Sequence, residues 1–146
     1  MFEKKEKESK ISKEVAEKEF YNYCDANCID YDESAMDEDD AKNFSKAKKK
    51  FIAACMEGRV IVDGRKLTYI VSELSENQKG DKIEIMPLKG KGMIAVSGSM
   101  GKNSNPIMQL YALLSSVTGK DVSYFGELSY KDLKFFDGIA MLFLAE

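Results

Sequence analysis

The chain has no histidine and no tryptophan, and only two prolines and three cysteines in 146 residues. Without histidine it lacks the commonest general base, the usual activator of a serine or cysteine nucleophile, and the commonest metal ligand. The cysteines are odd in number, with Cys24 and Cys28 four apart and Cys55 distant, which argues against a disulfide framework. No apolar run approaches the ~18 residues of a membrane span. The amino terminus is a Lys/Glu mixture without the apolar core of a signal peptide, so the expected location is the cytoplasm and no membrane partner is expected. A formal net charge of -3 gives no global field toward nucleic acid or an anionic surface, and no stacking platform is apparent. A nucleic-acid partner is therefore disfavoured.

What is present is an ordinary balance for a folded chain, with 44% hydrophobic and 32% charged residues. The length suits one domain with a real core. Seven tyrosines, eight phenylalanines and eight methionines supply bulk, and Met suits irregular or adaptable apolar surfaces.

The clearest pattern is carboxy-terminal. Asn105 can cap a helix whose first position is Pro106, where the missing N–H costs nothing. Ile107, Leu110, Leu114 and Val117 make one apolar stripe, and Thr118-Gly119 ends it with a left-handed cap. Ser129 to Asp132 has capping-box spacing, with Asp a weaker reciprocal partner than Glu or Gln. Leu133, Phe136, Ala140 and Phe143 then carry a second stripe, widened by Ile139 and Leu142. Phe125 and Leu128 are apolar enough to pin the connector. This helix pair has more apolar surface than two helices can hide from each other.

Residues 1–10 are mixed charge and read as a disordered lead-in. The rest, 11–146, reads as one α+β domain, helical over 11–58 and a sheet plus helix pair over 59–146. A first helix from Ser12 to about Ala26 places Ala16, Phe20, Tyr23, Cys24 and Asn27 on one face. Cys24 and Cys28 can point the same way there, and with no histidine they read as small buried hydrophobes rather than half a thiolate metal site. The acidic stretch Asp30 to Asp40 invites a calcium reading, but its spacing fails. Counted from Asp30, Ala35 stands where an EF-hand needs Gly and Ala41 where it needs Glu. The carboxylates suit a helix start instead, with Asp37 as N-cap and Glu38, Asp39 and Asp40 in the first turn. That helix runs to about Glu57, with Ala41, Phe44, Ala47, Phe51, Ala54 and Cys55 buried and Gly58 stopping it. Lys46, Lys48, Lys49 and Lys50 fall on a solvated face.

The hydrophobic period then changes. Arg59 to Val62 and Arg65 to Val71 flank Asp63-Gly64, which predicts a hairpin with a type I′ turn. Ser72 to Asp81 reads as a polar loop, Lys82 to Met86 as a third strand, and Met93 to Val96 as a fourth. A small antiparallel sheet of three or four strands is the economical arrangement, so the fold class is α+β with two amino-terminal helices, the sheet and two carboxy-terminal helices. Ser97 to Ser104 follows a strand and precedes a helix, as a phosphate loop does. Gly98 is only three residues before Gly101, however, and Asn103 follows Lys102 where Ser or Thr should stand, so no nucleotide site is assigned.

The stretch from Met108 to Leu144 resembles the tail assembly chaperones of long-tailed bacteriophages. The resemblance lies in Leu113-Leu114, Thr118-Gly119, Val122 to Leu128, Ser129, Asp132 and Phe143-Leu144, and upstream in Gly64 to Thr68. It covers about Val60 to Leu144, and the amino-terminal helical region departs from the compact family members. The resemblance implies a non-enzymatic role in the host bacterial cytoplasm, keeping the long, apolar, helical tape-measure protein soluble while tail subunits assemble around it. An adaptor of phage or bacterial origin with a different protein partner is the alternative. An enzyme would have to use Lys102, Asp121 and Asp132, which no constellation joins. No cofactor, metal or catalytic residue is assigned.

The expected working surface is the second apolar arc of the carboxy-terminal helices: Met108, Tyr111 and Leu113 on one, Phe135, Met141 and Leu142 on the other. The amino-terminal helices, or a second copy in a homo-oligomer, are the alternative cover for that arc. From the missing histidine and the failed calcium and phosphate-loop spacings, thermal melts with calcium, zinc, ATP or chelator are expected to overlay. A shift of several degrees with any of them would refute this, because a ligand selective for the native state must stabilise it.

Overall fold

The computed structural model describes residues 11–90 and 106–144, so the expected lead-in, the fourth strand at Met93 to Val96, the phosphate-loop-like segment and the Asn105 cap lie outside the described residues. Within them the fold is α+β. Helix α1 (Lys13–Ala26) starts at Ser12, whose hydroxyl accepts from the Val15 amide. Helix α2 (Glu38–Met56) starts at Asp37, whose carboxylate accepts from the Asp40 amide at 2.7 Å. The acidic stretch between them spends its side chains on local turns. Asp30 accepts from the Asp32 amide, and Asp32 caps the 3-10 turn Glu33–Ala35. Among the described residues no group of three potential ligands is placed to hold a metal.

Strands β1 (Val60–Asp63), β2 (Lys66–Ile70) and β3 (Lys82–Ile85) form an antiparallel meander in the order β1-β2-β3. The hairpin turns one residue later than the sequence suggests. Asp63 pairs with Lys66, so Gly64 and Arg65 are the turn, and only Gly64 is left-handed, at φ 61°. A positive φ at the first central position alone is the pattern of a type II′ turn, which needs Gly there, rather than of type I′. The register then puts Leu67, Tyr69, Ile83 and Ile85 on the buried face.

Helices α3 (Pro106–Thr118), α4 (Val122–Gly126) and α5 (Tyr130–Leu144) complete the fold. The connector holding Phe125 is itself the short helix α4. Helix α3 meets the sheet at its end, where the Met86 amide donates to the Val117 carbonyl at 2.8 Å, and Gly119 follows at φ 73°. Helix α5 lies at the centre. One side faces α2, the other faces the sheet and α4, and aromatic rings link all of them. Phe20 of α1 meets Phe51 of α2 at 5.1 Å, Phe135 stacks on Tyr69 at 4.2 Å, and Phe136 meets Phe125 at 5.3 Å. Each such pair adds about 0.5–1.5 kcal/mol beyond the area it buries.

The α2–α5 crossing is close because Gly138 faces Ala47. A methyl at position 138 would sit 3.3 Å from the Ala47 Cα. Two small residues therefore set how near the central helix approaches α2. Gly138→Leu is expected to lower the denaturant midpoint by the equivalent of about 1–3 kcal/mol, the usual cost of overpacking. An unchanged midpoint would show that the crossing has room to spare.

Candidate functional site

Two features stand apart from ordinary packing: a buried carboxylate where sheet, loop and helix meet, and an outward face of α3.

The carboxylate is Asp132, in the first turn of α5 and fully buried. Tyr69 donates to Oδ1 at 2.5 Å and the Ser72 amide to the same oxygen at 3.1 Å. The hydroxyls of Ser72, Ser75 and Ser129 donate to Oδ2 at 2.8, 2.5 and 3.0 Å. Arg59 reaches the group from outside: Nη1 lies 3.8 Å from Oδ1 and donates to the Tyr69 hydroxyl. Burial favours the neutral acid, but the hydrogen bonds from Ser75, Tyr69 and Ser72 outweigh it and hold the carboxyl below its ordinary value. The Tyr69 phenol is driven up, by burial first and then by its bond to Asp132.

The capping-box spacing at Ser129 to Asp132 is thus half realised. The Asp132 amide donates to the Ser129 hydroxyl at 3.3 Å, but Asp132 does not reach back to the Ser129 amide. That amide donates to the Ser75 hydroxyl at 2.8 Å, and the carboxylate turns inward. The segment 72–81 is therefore an anchored element rather than a plain polar loop. Ser72, Ser75 and Gln78 are buried, and the Gln78 side-chain Nε2 donates to the Tyr124 carbonyl at 2.8 Å.

Around this network Arg59 donates Nε to Glu57 at 2.8 Å, and Lys131 lies 3.2 Å from the same carboxylate. Burial raises the Glu57 carboxyl, but the bonds from Arg59 and Lys131 outweigh it and lower it. Of the other enzyme candidates, Asp121 precedes α4 without a side-chain cap bond, and Lys102 lies outside the described residues.

The expected partner-binding arc divides. Leu113, Phe135 and Leu142 are core residues, which corrects their placement on an available surface. The reason is that α5 is packed on both sides, so Phe135 and Leu142 serve the contact with α2 and the sheet, while Leu113 joins Leu114 and Val117 on the inner side of α3. Met108 is 51% exposed, and Tyr111 and Met141 are half-buried. The cysteines also separate: Cys24 and Cys55 are buried, whereas Cys28 lies beyond α1 at φ 58° and is exposed. Burial pushes the Cys55 thiol up to about 12, with Glu19 adding to the effect.

Comparison of the chain with protein-family models, with curated proteins and with solved structures finds no match.

The depressed carboxyl makes a pH prediction. A group with a lowered native pKa stabilises fully above its unfolded value of ~3.9 and loses that contribution as pH falls through the native value. Wild type is expected to exceed Asp132→Asn in unfolding free energy by about 3 kcal/mol at neutral pH, the scale of charge-assisted bonds lost together. That advantage should shrink below about pH 4. An advantage equal at pH 3 and pH 7 would contradict the ionised state assigned to Asp132.

Proposed function

We propose that this chain is a non-enzymatic binding protein of the tail-assembly-chaperone kind, which holds an apolar helical segment of a tape-measure or other tail protein. The observation that carries this reading is the surface of α3. Its sequence, PIMQLYALLSSVT, has no charged residue. Leu113, Leu114 and Val117 are buried, yet Met108 is exposed and Leu110, Tyr111 and Ala112 are only half covered. A surface helix normally presents charge on its outer side, so an uncharged one marks a face suited to a partner.

Met108, Tyr111 and Ala112 recur at helical spacing on that side. A methionine, an aromatic ring and a small residue can accept varied apolar side chains from an amphipathic helix. A non-enzymatic role is also favoured by the enclosure of Asp132, whose oxygens are taken up by internal donors. The working surface is accordingly α3 rather than α5.

The test is co-expression with the tape-measure protein of the same genome. Wild type is expected to keep that protein soluble and to co-purify with it. Met108→Asp should lose both effects while its melting temperature stays within about two degrees of wild type, as for a surface substitution. Phe135→Asp should instead unfold the chain, since it buries an unpaired charge. Co-purification undiminished in Met108→Asp would remove α3 from the interface, and failure of wild type to co-purify would favour an adaptor with another partner.

A further inference from the structure

A second surface lies away from α3, over the Asp132 network. Two depressions meet at Glu57, Arg59 and Lys131, one of about 780 Å³ and one of about 290 Å³. The smaller lies between the carboxy-terminal part of α2 and the first turns of α5, with Ala54, Tyr69 and Phe135 as an apolar floor. Its rim carries Lys50, Arg59, Lys131 and Lys134 against the single carboxylate Glu57. The larger adds Lys79 and Glu73, together with Leu74, which is 63% exposed. Along both, five cations stand against two carboxylates, on a chain whose net charge is -3. Asp132 lies beneath, fully buried, and Asp137 faces Lys134 from one turn further along α5.

The central cations are held in place before any partner arrives. Arg59 is fixed by Glu57 and the Tyr69 hydroxyl, its side chain only 14% exposed, and Lys131 is tied to the same Glu57. Ordering them on binding therefore costs little. Lys50 stands exposed on the rim and makes no ion pair with the described residues, while Lys134 lies over the exposed Tyr130 ring at 4.8 Å.

We propose that this trough docks an acidic peptide segment of a partner protein, a carboxylate meeting Lys50 and Lys134 and an apolar side chain resting on the Ala54–Phe135 floor. The smaller hollow has room for about one side chain, near the low end of ligand-site volumes. A nucleic-acid strand would answer the same cations. It is disfavoured because the remainder of the chain is acidic, the carboxylate-rich stretch 30–40 included, and because the Tyr130 face is already covered by Lys134.

The test titrates the full chain into a fluorescein-labelled hexapeptide of alternating acidic pairs and Phe or Leu, read by fluorescence anisotropy. The same peptide with Gln and Asn in place of Glu and Asp is the control. Wild type is expected to bind the acidic peptide at least tenfold more tightly than the control, and to weaken in 0.5 M salt as exposed charges are screened. The double substitution Lys50→Glu with Lys134→Glu should lose at least tenfold in affinity at an unchanged melting temperature, and Met108→Asp should bind as wild type does. The proposal is overturned if wild type binds neither peptide or both equally, or if the double variant still binds. Tighter binding of a single-stranded oligonucleotide of similar length would overturn it too. So would sedimentation showing a dimer that the double reversal dissociates, since a second copy would then be the occupant.

Discussion

A single ionised carboxylate, sealed inside the protein, ties the sheet to the carboxy-terminal helices. Removing a carboxylate from water costs several kcal/mol unless donors replace the lost solvation. Asp132 receives them from three separate parts of the chain: Tyr69 on β2, Ser72 and Ser75 in the segment after it, and Ser129 at the start of α5. Because each donor matters to the charge, each part is held in register with the others. The arrangement stabilises less through any one bond than through the large cost of opening it, and that cost makes the junction between sheet and helix geometrically specific.

The central position of α5 follows from its composition. Phe135, Phe136, Ile139, Ala140, Leu142 and Phe143 are all buried, and no single neighbour could cover so wide an apolar arc. Two sides are needed. Helix α2 supplies one, brought close by Gly138 against Ala47, and the sheet with α4 supplies the other. Helix α3 packs on α5, β3 and α4, yet its outward side keeps Met108 exposed and Leu110, Tyr111 and Ala112 only half covered. The two helices differ in chemistry as well as position: α3 carries no charged residue, whereas α5 carries Lys131, Asp132, Lys134 and Asp137.

Much of the fold is legible in the sequence because its signals are local. Ser12 and Asp37 are caps that act within three residues, Gly58 and Gly119 are left-handed stops, and the alternation at Leu67, Tyr69, Ile83 and Ile85 marks one face of a sheet. The hairpin turn is displaced by one because Asp-Gly suits type I′ while Gly-Arg suits type II′, and only the cross-strand pairing of Asp63 with Lys66 decides between them. Residues whose partners lie far along the chain are harder to place. Phe135 and Leu142 lie off the main stripe of α5, and nothing local tells a second buried side from an exposed one. The role of Asp132 is hidden in the same way. Its spacing from Ser129 suggests a cap, whereas its partners Tyr69 and Ser75 lie 63 and 57 residues away. A polar segment with two serines, the nearer 54 residues ahead of a capping motif, is too common a pattern to reveal a buried network.

The cap of α5 is borrowed. The Ser129 amide, which a helix usually satisfies within its own first turn, donates instead to Ser75, 54 residues earlier. An isolated helix of this length is marginal in water, and here one of its orphan donors is met only by a distant segment. The first turn of α5 and the segment 72–81 therefore order together: each completes the other's hydrogen bonding, and neither has a complete set alone. The two regions are thereby coupled across the chain: the hydrogen bonding at the start of the carboxy-terminal helix is complete only where Ser75 is in place.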